Sequence, residues 1–162
     1  MITSVQGDPS AAVGRFAIVA ARFNAFVVDP MVSSARQALE THGIGTADIN
    51  IVRVPGAFEL PVAVEALAAT GNYSGIIALG AVIRGATAHF DFVAGECARG
   101  LMEVSLRHRC AVSFGVLTTD DVEQALKRAN PDAGNKGFDV AVAALEMADL
   151  LRRIEEQPNG EQ

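Results

Sequence analysis

The sequence predicts an α/β protein, a three-layer sandwich in which one doubly wound parallel sheet carries helices on both faces. Short β-branched runs alternate with longer amphipathic stretches, and the strand-like runs are apolar throughout. Strands of that kind, separated by helices, pair in parallel with both faces covered. A third observation concerns polarity: "RFN", "PGAFE", "RGATAH" and "TTDD" each follow directly on an apolar run. Ligands of open α/β sheets sit beyond the carboxyl ends of the strands, so these corners are where chemistry is expected.

In chain order, "RFAIVA" (15–20) reads as a buried strand. Val28, Val32, Ala35, Leu39 and His42 then fall on one helical face, with Asp29 as N-cap, Pro30 in the first turn and Gly43 as the stop. "DINIVRV" (48–54) is a second strand, and a helix from about Glu59 to Gly71 tolerates Pro61 in its first turn. "GIIALGAVI" (75–83) is the most hydrophobic strand, followed by a long helix over 88–108. "VSFGVLT" (112–118) is the fourth strand and "DDVEQALKRA" a short helix with an acidic start. Val140, Ala144, Met147, Leu151 and Ile154 mark a closing helix beyond "NKG".

The chain has 162 residues, half of them hydrophobic and 20% charged, which suits a single domain with a substantial core. Residues 1–12 lack periodicity and form an N-terminal arm, either mobile or ordered against a partner. The domain spans 13–156, and 157–162 is a frayed polar tail. A net charge of -6 argues against a nucleic-acid surface. Cys97 and Cys110 show no ligand spacing and read as reduced core thiols. Neither a signal peptide nor a membrane span is indicated, so the cytoplasm is the expected location.

Gly85, Ala86 and Thr87 lie between a strand and the long helix, where backbone N–H groups and a hydroxyl make either an anion site or an ordinary capped turn. The stretch fits neither a P-loop nor GxGxxG. His89 is either a capping or core residue or a proton carrier. With Asp91 it has no third partner, so no metal is expected. Phe23 and Asn24 suit a planar heterocycle with polar substituents, or Phe23 is core. Glu59, beside Phe58, is the acidic first turn of a helix or an acceptor for a polyol. Arg128 and Lys136 flank "ANPDAG" as solvated charges or as part of a phosphate site.

Together, "ARFN", "VPGAFELP", "GAVIRGATAHFDFV", "FGVLTTD", "EQALKRA" and "NKGFDVAVAALEMA" resemble lumazine synthase over about 15–153, in order and spacing. The resemblance implies a flavodoxin-like parallel sheet and the penultimate step of riboflavin biosynthesis. There, 5-amino-6-(D-ribitylamino)uracil and 3,4-dihydroxy-2-butanone 4-phosphate give 6,7-dimethyl-8-ribityllumazine, phosphate and water, with no cofactor and no metal. It implies that Phe23 stacks on the pyrimidine, that Asn24, Ala57, Phe58 and Glu59 line the ribityl side, and that the backbone of Val82 and Ile83 meets the uracil edge. Gly85, Ala86 and Thr87 would hold the phosphate and His89 would move protons. Phe114 would stack from an adjacent subunit, with Arg128 and Lys136 reaching the phosphate.

The family's sites lie between subunits, which implies a homo-oligomer whose monomer is inactive. A pentamer is favoured over a 60-subunit shell, because Pro9 cannot donate where shell formers run an N-terminal strand along a neighbour's sheet. Riboflavin synthase is a further implied partner. Ser34 and Phe92 depart from the usual glycine and tyrosine without touching the site. The main alternative is a non-catalytic lumazine or riboflavin binder on the same fold. An FMN-binding electron carrier would need a phosphate loop after the first strand, which "ARFNAF" does not supply.

Overall fold

The computed structural model describes residues 2–157, so of the expected tail only Gln157 falls within it and the rest lies outside the described residues. Its sheet consists of β1 (Phe16–Ala21), β2 (Ile49–Val54), β3 (Gly75–Ile83) and β4 (Ala111–Thr119), in the order β2-β1-β3-β4. Every pairing is parallel, and β3 matches β4 residue for residue from Gly75 opposite Ala111 to Ile83 opposite Thr119. The helices are α1 (Ala25–Thr41), α2 (Leu60–Ala69), α3 (His89–His108), α4 (Val122–Arg128) and α5 (Lys136–Glu156). The expected three-layer α/β architecture is therefore the observed one.

Alternation along the strands explains why they read as apolar from end to end. Phe16, Ile18 and Ala20 pack with Val28, Met31, Leu39 and Leu145 under α1 and α5. Their neighbours Ala17, Val19 and Ala21 pack with Leu60, Val64, Cys97 and Leu101 under α2 and α3. A strand buried on both faces leaves no side for polar residues. Burial pushes the Cys97 thiol up to about 11, so it stays protonated and unreactive. Gly137, in the first turn of α5, passes so close to α1 that a Cβ there would collide with the Met31 carbonyl.

The start of α1 differs from the sequence expectation. The helix begins at Ala25, not near Asp29, and Pro30 lies inside it. The preceding residue, Asn24, has left-handed backbone (φ 61°, ψ 40°) and makes no side-chain cap, so the usual signal of a helix start is missing. Asp29 instead accepts a 2.7 Å hydrogen bond from Arg53 on β2.

Of the expected N-terminal arm, residues 7–12 are held by their own chain, whereas 2–6 are exposed. Asp8 caps a 3-10 turn over Pro9–Ala11, its carboxylate accepting from Ser10 N at 2.9 Å. The Asp8 N–H donates to Asp149 Oδ2 on α5 at 2.8 Å, and Gly7 lies against the Glu146 carbonyl where no Cβ fits. Asp149 is the buried centre of this staple: its side chain is 0% exposed and both carboxylate oxygens also accept from Arg152 and Arg153 at 2.6 Å.

The Asp8 N–H, then the two guanidinium groups, hold the Asp149 carboxyl at about 2, below its ordinary 3.8. A carboxylate with a depressed folded pKa stabilises fully above its unfolded value and loses that contribution as the pH falls through the folded one. Thermal melts across pH should show Asp149→Asn melting lower than the parent at pH 7, with the gap closing between about pH 4 and pH 2.

Candidate functional site

The carboxyl ends of β1, β2 and β3 meet at one corner. The Arg22 and Phe23 N–H groups donate to the carbonyls of Val54 and Pro55 at 2.8 and 3.0 Å, which carries the β1–β2 pairing past the strand ends. The chain then turns through left-handed Asn24, whose Nδ2 donates to the Ala81 carbonyl of β3 at 2.9 Å. Asn24 is thus a tie between β1 and β3, with Oδ1 left as an acceptor. Phe23, placed beside it, is 71% exposed, so it is not a core residue.

The second corner is "PGAFE". A 3-10 turn over Ala57–Glu59 leads into α2. A Cβ on Gly56 would lie 3.2 Å from Glu59 Oε2 and 4.0 Å from Phe23 Cβ, which puts the Glu59 carboxylate beside the exposed ring. Phe58 is exposed on the outer side of the turn.

The third corner joins β3 to α3. Gly85, Ala86 and Thr87 are exposed, and a Cβ on Gly85 would meet nothing within 4 Å. The Thr87 hydroxyl is 3.4 Å from His89 N, a long cap at the start of α3. His89 is the first residue of that helix and is exposed. Within this first turn the His89 N–H is directed at Thr87 Oγ1 and the Asp91 N–H donates to the Ala88 carbonyl at 3.1 Å, and helix starts in general favour anions.

Two cavities share this corner. One of about 270 Å³ is lined by Phe23, Asn24, Ala57, Ala81, Val82, Ile83, Gly85, Thr87, His89, Phe90 and Val93. The other, about 520 Å³, is lined by Phe23, Pro55, Gly56, Ala57, Phe58, Glu59, His89, Phe92 and Val93, so Phe92, expected from the sequence to stay clear of the site, is part of its wall. Phe23, Ala57, His89 and Val93 belong to both, so His89 stands at their junction.

Phe114, Arg128 and Lys136 are not part of this corner. They line a separate cavity of about 240 Å³ along the edge strand β4, with Thr118 and Val140. Arg128 donates to the Gln124 carbonyl at 3.1 Å, and Lys136 is the first residue of α5. A cation at the positive end of a helix dipole is unfavourable unless an anion offsets it. A fourth hollow of about 530 Å³, between the end of α3, β4 and α5, is lined mainly by apolar residues such as Val140, Met147 and Leu151. It contains none of the corner residues.

The structure thus gathers the candidates into two sets at different places on the chain. Sequence reading assigned no role to Arg84, Phe90 or Val93; Phe90 and Val93 line the smaller cavity and Arg84 stacks on Phe90 from outside. The signal for Arg84 was its position directly after an apolar strand. Among the described residues, no group of three or more His, Cys, Asp or Glu side chains is placed to hold a metal ion, and no helix is long and apolar enough to cross a membrane.

Fold and corner together define a doubly wound α/β protein with a cleft at the carboxyl ends of its strands. Residues 14–152 match the family model described as 6,7-dimethyl-8-ribityllumazine synthase, and the chain belongs to that family, one of riboflavin biosynthesis.

The Asn24 tie makes a specific prediction. Asn24→Gly keeps the left-handed backbone and loses only the hydrogen bond, whereas Asn24→Asp sets a carboxylate oxygen against the Ala81 carbonyl. Denaturant unfolding should show the aspartate variant destabilised by ~1–3 kcal/mol and the glycine variant by less.

Proposed function

We propose that this chain condenses 5-amino-6-(D-ribitylamino)uracil with 3,4-dihydroxy-2-butanone 4-phosphate, giving 6,7-dimethyl-8-ribityllumazine, phosphate and water. The observation that carries the reading is the junction at His89, where an aromatic-walled cavity meets one that opens on the 85–87 loop. The pyrimidine stacks on Phe23, with its uracil edge on the backbone of Val82 and Ile83. Its ribityl chain runs past Ala57 and Phe58 to the Glu59 carboxylate and Asn24 Oδ1. The phosphate of the second substrate lies on Gly85, Ala86 and Thr87 at the start of α3, where the loop backbone, the Thr87 hydroxyl and the helix dipole favour a dianion.

The amine and the ketone are held within reach of each other, and His89 between them takes and returns the protons of imine formation, phosphate loss and ring closure. Holding two reactants together supplies most of the acceleration such a condensation needs.

Arg128, Lys136 and Phe114 complete the site from a neighbouring copy. Support comes from their separation from the corner within one chain and from the position of Lys136 at a helix start. Further support is an apolar surface for assembly: Phe92, Met102 and Leu106 on α3 are 69%, 61% and 72% exposed, beside exposed Phe58 and Val62. Exposed apolar patches of this kind mark interfaces. The 3-10 turn at Pro9, tied to α5 of its own chain, supports a pentamer over a 60-subunit shell. The reading places the protein in the cytoplasm, with riboflavin synthase using its product.

The test is lumazine fluorescence from the purified protein and both substrates, with its mass in solution measured on the same sample. Product above the uncatalysed rate from a pentamer or larger supports the reading. A folded oligomer that binds pyrimidine or lumazine but forms no product contradicts it and leaves a binder on the same fold. His89→Ala should retain measurable turnover, with kcat lowered by no more than ~100-fold, the lower end of what a positioned acid-base group supplies.

A further inference from the structure

Arg84 is the residue between the end of β3 and the 85–87 loop. Its N–H donates to the Thr119 carbonyl at 2.8 Å, extending the β3–β4 pairing by one step. Its guanidinium then reaches three ways. Nε donates to Asp120 Oδ1, just past β4, at 3.3 Å; Nη1 donates to Asp91 Oδ1, in the first turn of α3, at 3.4 Å. The guanidinium carbon lies 4.3 Å from the centre of the Phe90 ring, a cation–π contact. Phe90 is a wall of the cavity that Gly85, Thr87 and His89 also line.

The electrostatic setting gives these contacts a purpose. Asp91, in the first turn of α3, and Asp120, just past β4, are exposed carboxylates next to the loop's flanking elements, and their charge opposes a dianion bound at 85–87. Arg84 is the cation that holds each of them. The two ion pairs are open to water and long, so they add little to fold stability. Their influence falls on what binds alongside.

Resting on the reading of residues 85–87 as the phosphate corner, we propose that Arg84 is a positioning residue: its guanidinium holds Asp91 and Asp120 together and screens their charge from the bound phosphate. It acts through those carboxylates and through Phe90, not by touching the phosphate.

The experiment is a calorimetric titration of the assembled protein with inorganic phosphate, beside steady-state KM values for each substrate. It uses the parent, Arg84→Ala, and Arg84→Ala combined with Asp91→Asn and Asp120→Asn. The expected result is that Arg84→Ala weakens phosphate and raises KM for the butanone phosphate about 3- to 10-fold, while KM for the pyrimidine stays unchanged. The triple variant should return both to within about twofold of the parent, and the difference should shrink in high salt. Removing the two charges would not repair a loss of packing or of a direct phosphate contact, so failure of the triple variant to recover overturns the proposal. So does an unchanged phosphate affinity in Arg84→Ala. If Arg84→Ala does not fold, Asp91→Asn with Arg84 intact serves instead: tighter phosphate binding is expected, and unchanged binding overturns the proposal. A parent that turns over both substrates yet shows no phosphate binding would overturn the phosphate-corner reading itself, a result distinct from an unaffected Arg84 variant.

Discussion

The constraint on which the rest depends is the burial of β1 on both faces. All six of its residues are buried between two helical layers, so the strand has no position for a polar side chain along its length. Unpaired polar groups there would cost more than the fold can offset. Chemistry is therefore displaced to the point where β1 leaves the core, and the exit is sharp: Ala21 is 1% exposed and Phe23 is 71% exposed. The left-handed turn at Asn24 and its bond to Ala81 close this exit against β3. The same rule acts on β3, which is buried to Val82 and then opens into the 84–88 loop.

A second consequence concerns charge. The corner formed by β1, β2 and β3 contains an exposed ring, an amide, a carboxylate, a histidine and a helix start, and the guanidinium of Arg84 is engaged by two carboxylates. Arg128 and Lys136 lie on another edge of the chain. Lys136 is held at the start of α5 by Asn135, which caps Gly137 N at 2.6 Å and donates to the Ala129 carbonyl at 2.6 Å. A lysine fixed against a helix dipole, with an arginine beside it, is a configuration that an anion relieves. In the proposed assembly a neighbouring copy would bring these separated halves together, and the exposed apolar residues Phe92, Met102 and Leu106 of α3 are a surface on which it could pack.

Much of this was legible in the sequence, and for identifiable reasons. Strand limits fell within a residue or so of those observed because the inner strands β1 and β3 are buried on both faces and the edge strands β2 and β4, though partly exposed, are still short β-branched runs bounded by polar corners. Gly85 to His89 stood out because small residues, a hydroxyl and an imidazole follow an apolar strand. The start of α1 was not legible: Asn24 begins the helix from a left-handed backbone, and Pro30 suggested a first turn where the helix already runs. Arg84 was missed because its partners, Asp91 and Asp120, lie 7 and 36 residues away and meet only in three dimensions. Nor did spacing connect Phe114, Arg128 and Lys136 to the corner; only the family resemblance did, and within one chain they lie apart from it.

The central claim is that one site is built from two copies, and complementation tests it most directly. Gly85→Asp puts a carboxylate into the loop at a position where a Cβ meets nothing, so the fold should tolerate it. Arg128→Ala combined with Lys136→Ala empties the other half. Each variant alone should be nearly inactive, and co-assembly of the two in equal amounts should regenerate about a quarter of the sites in a cyclic oligomer. Mixed oligomers with no more activity than the separate variants would show that the two halves never meet across a subunit boundary, and would contradict the account.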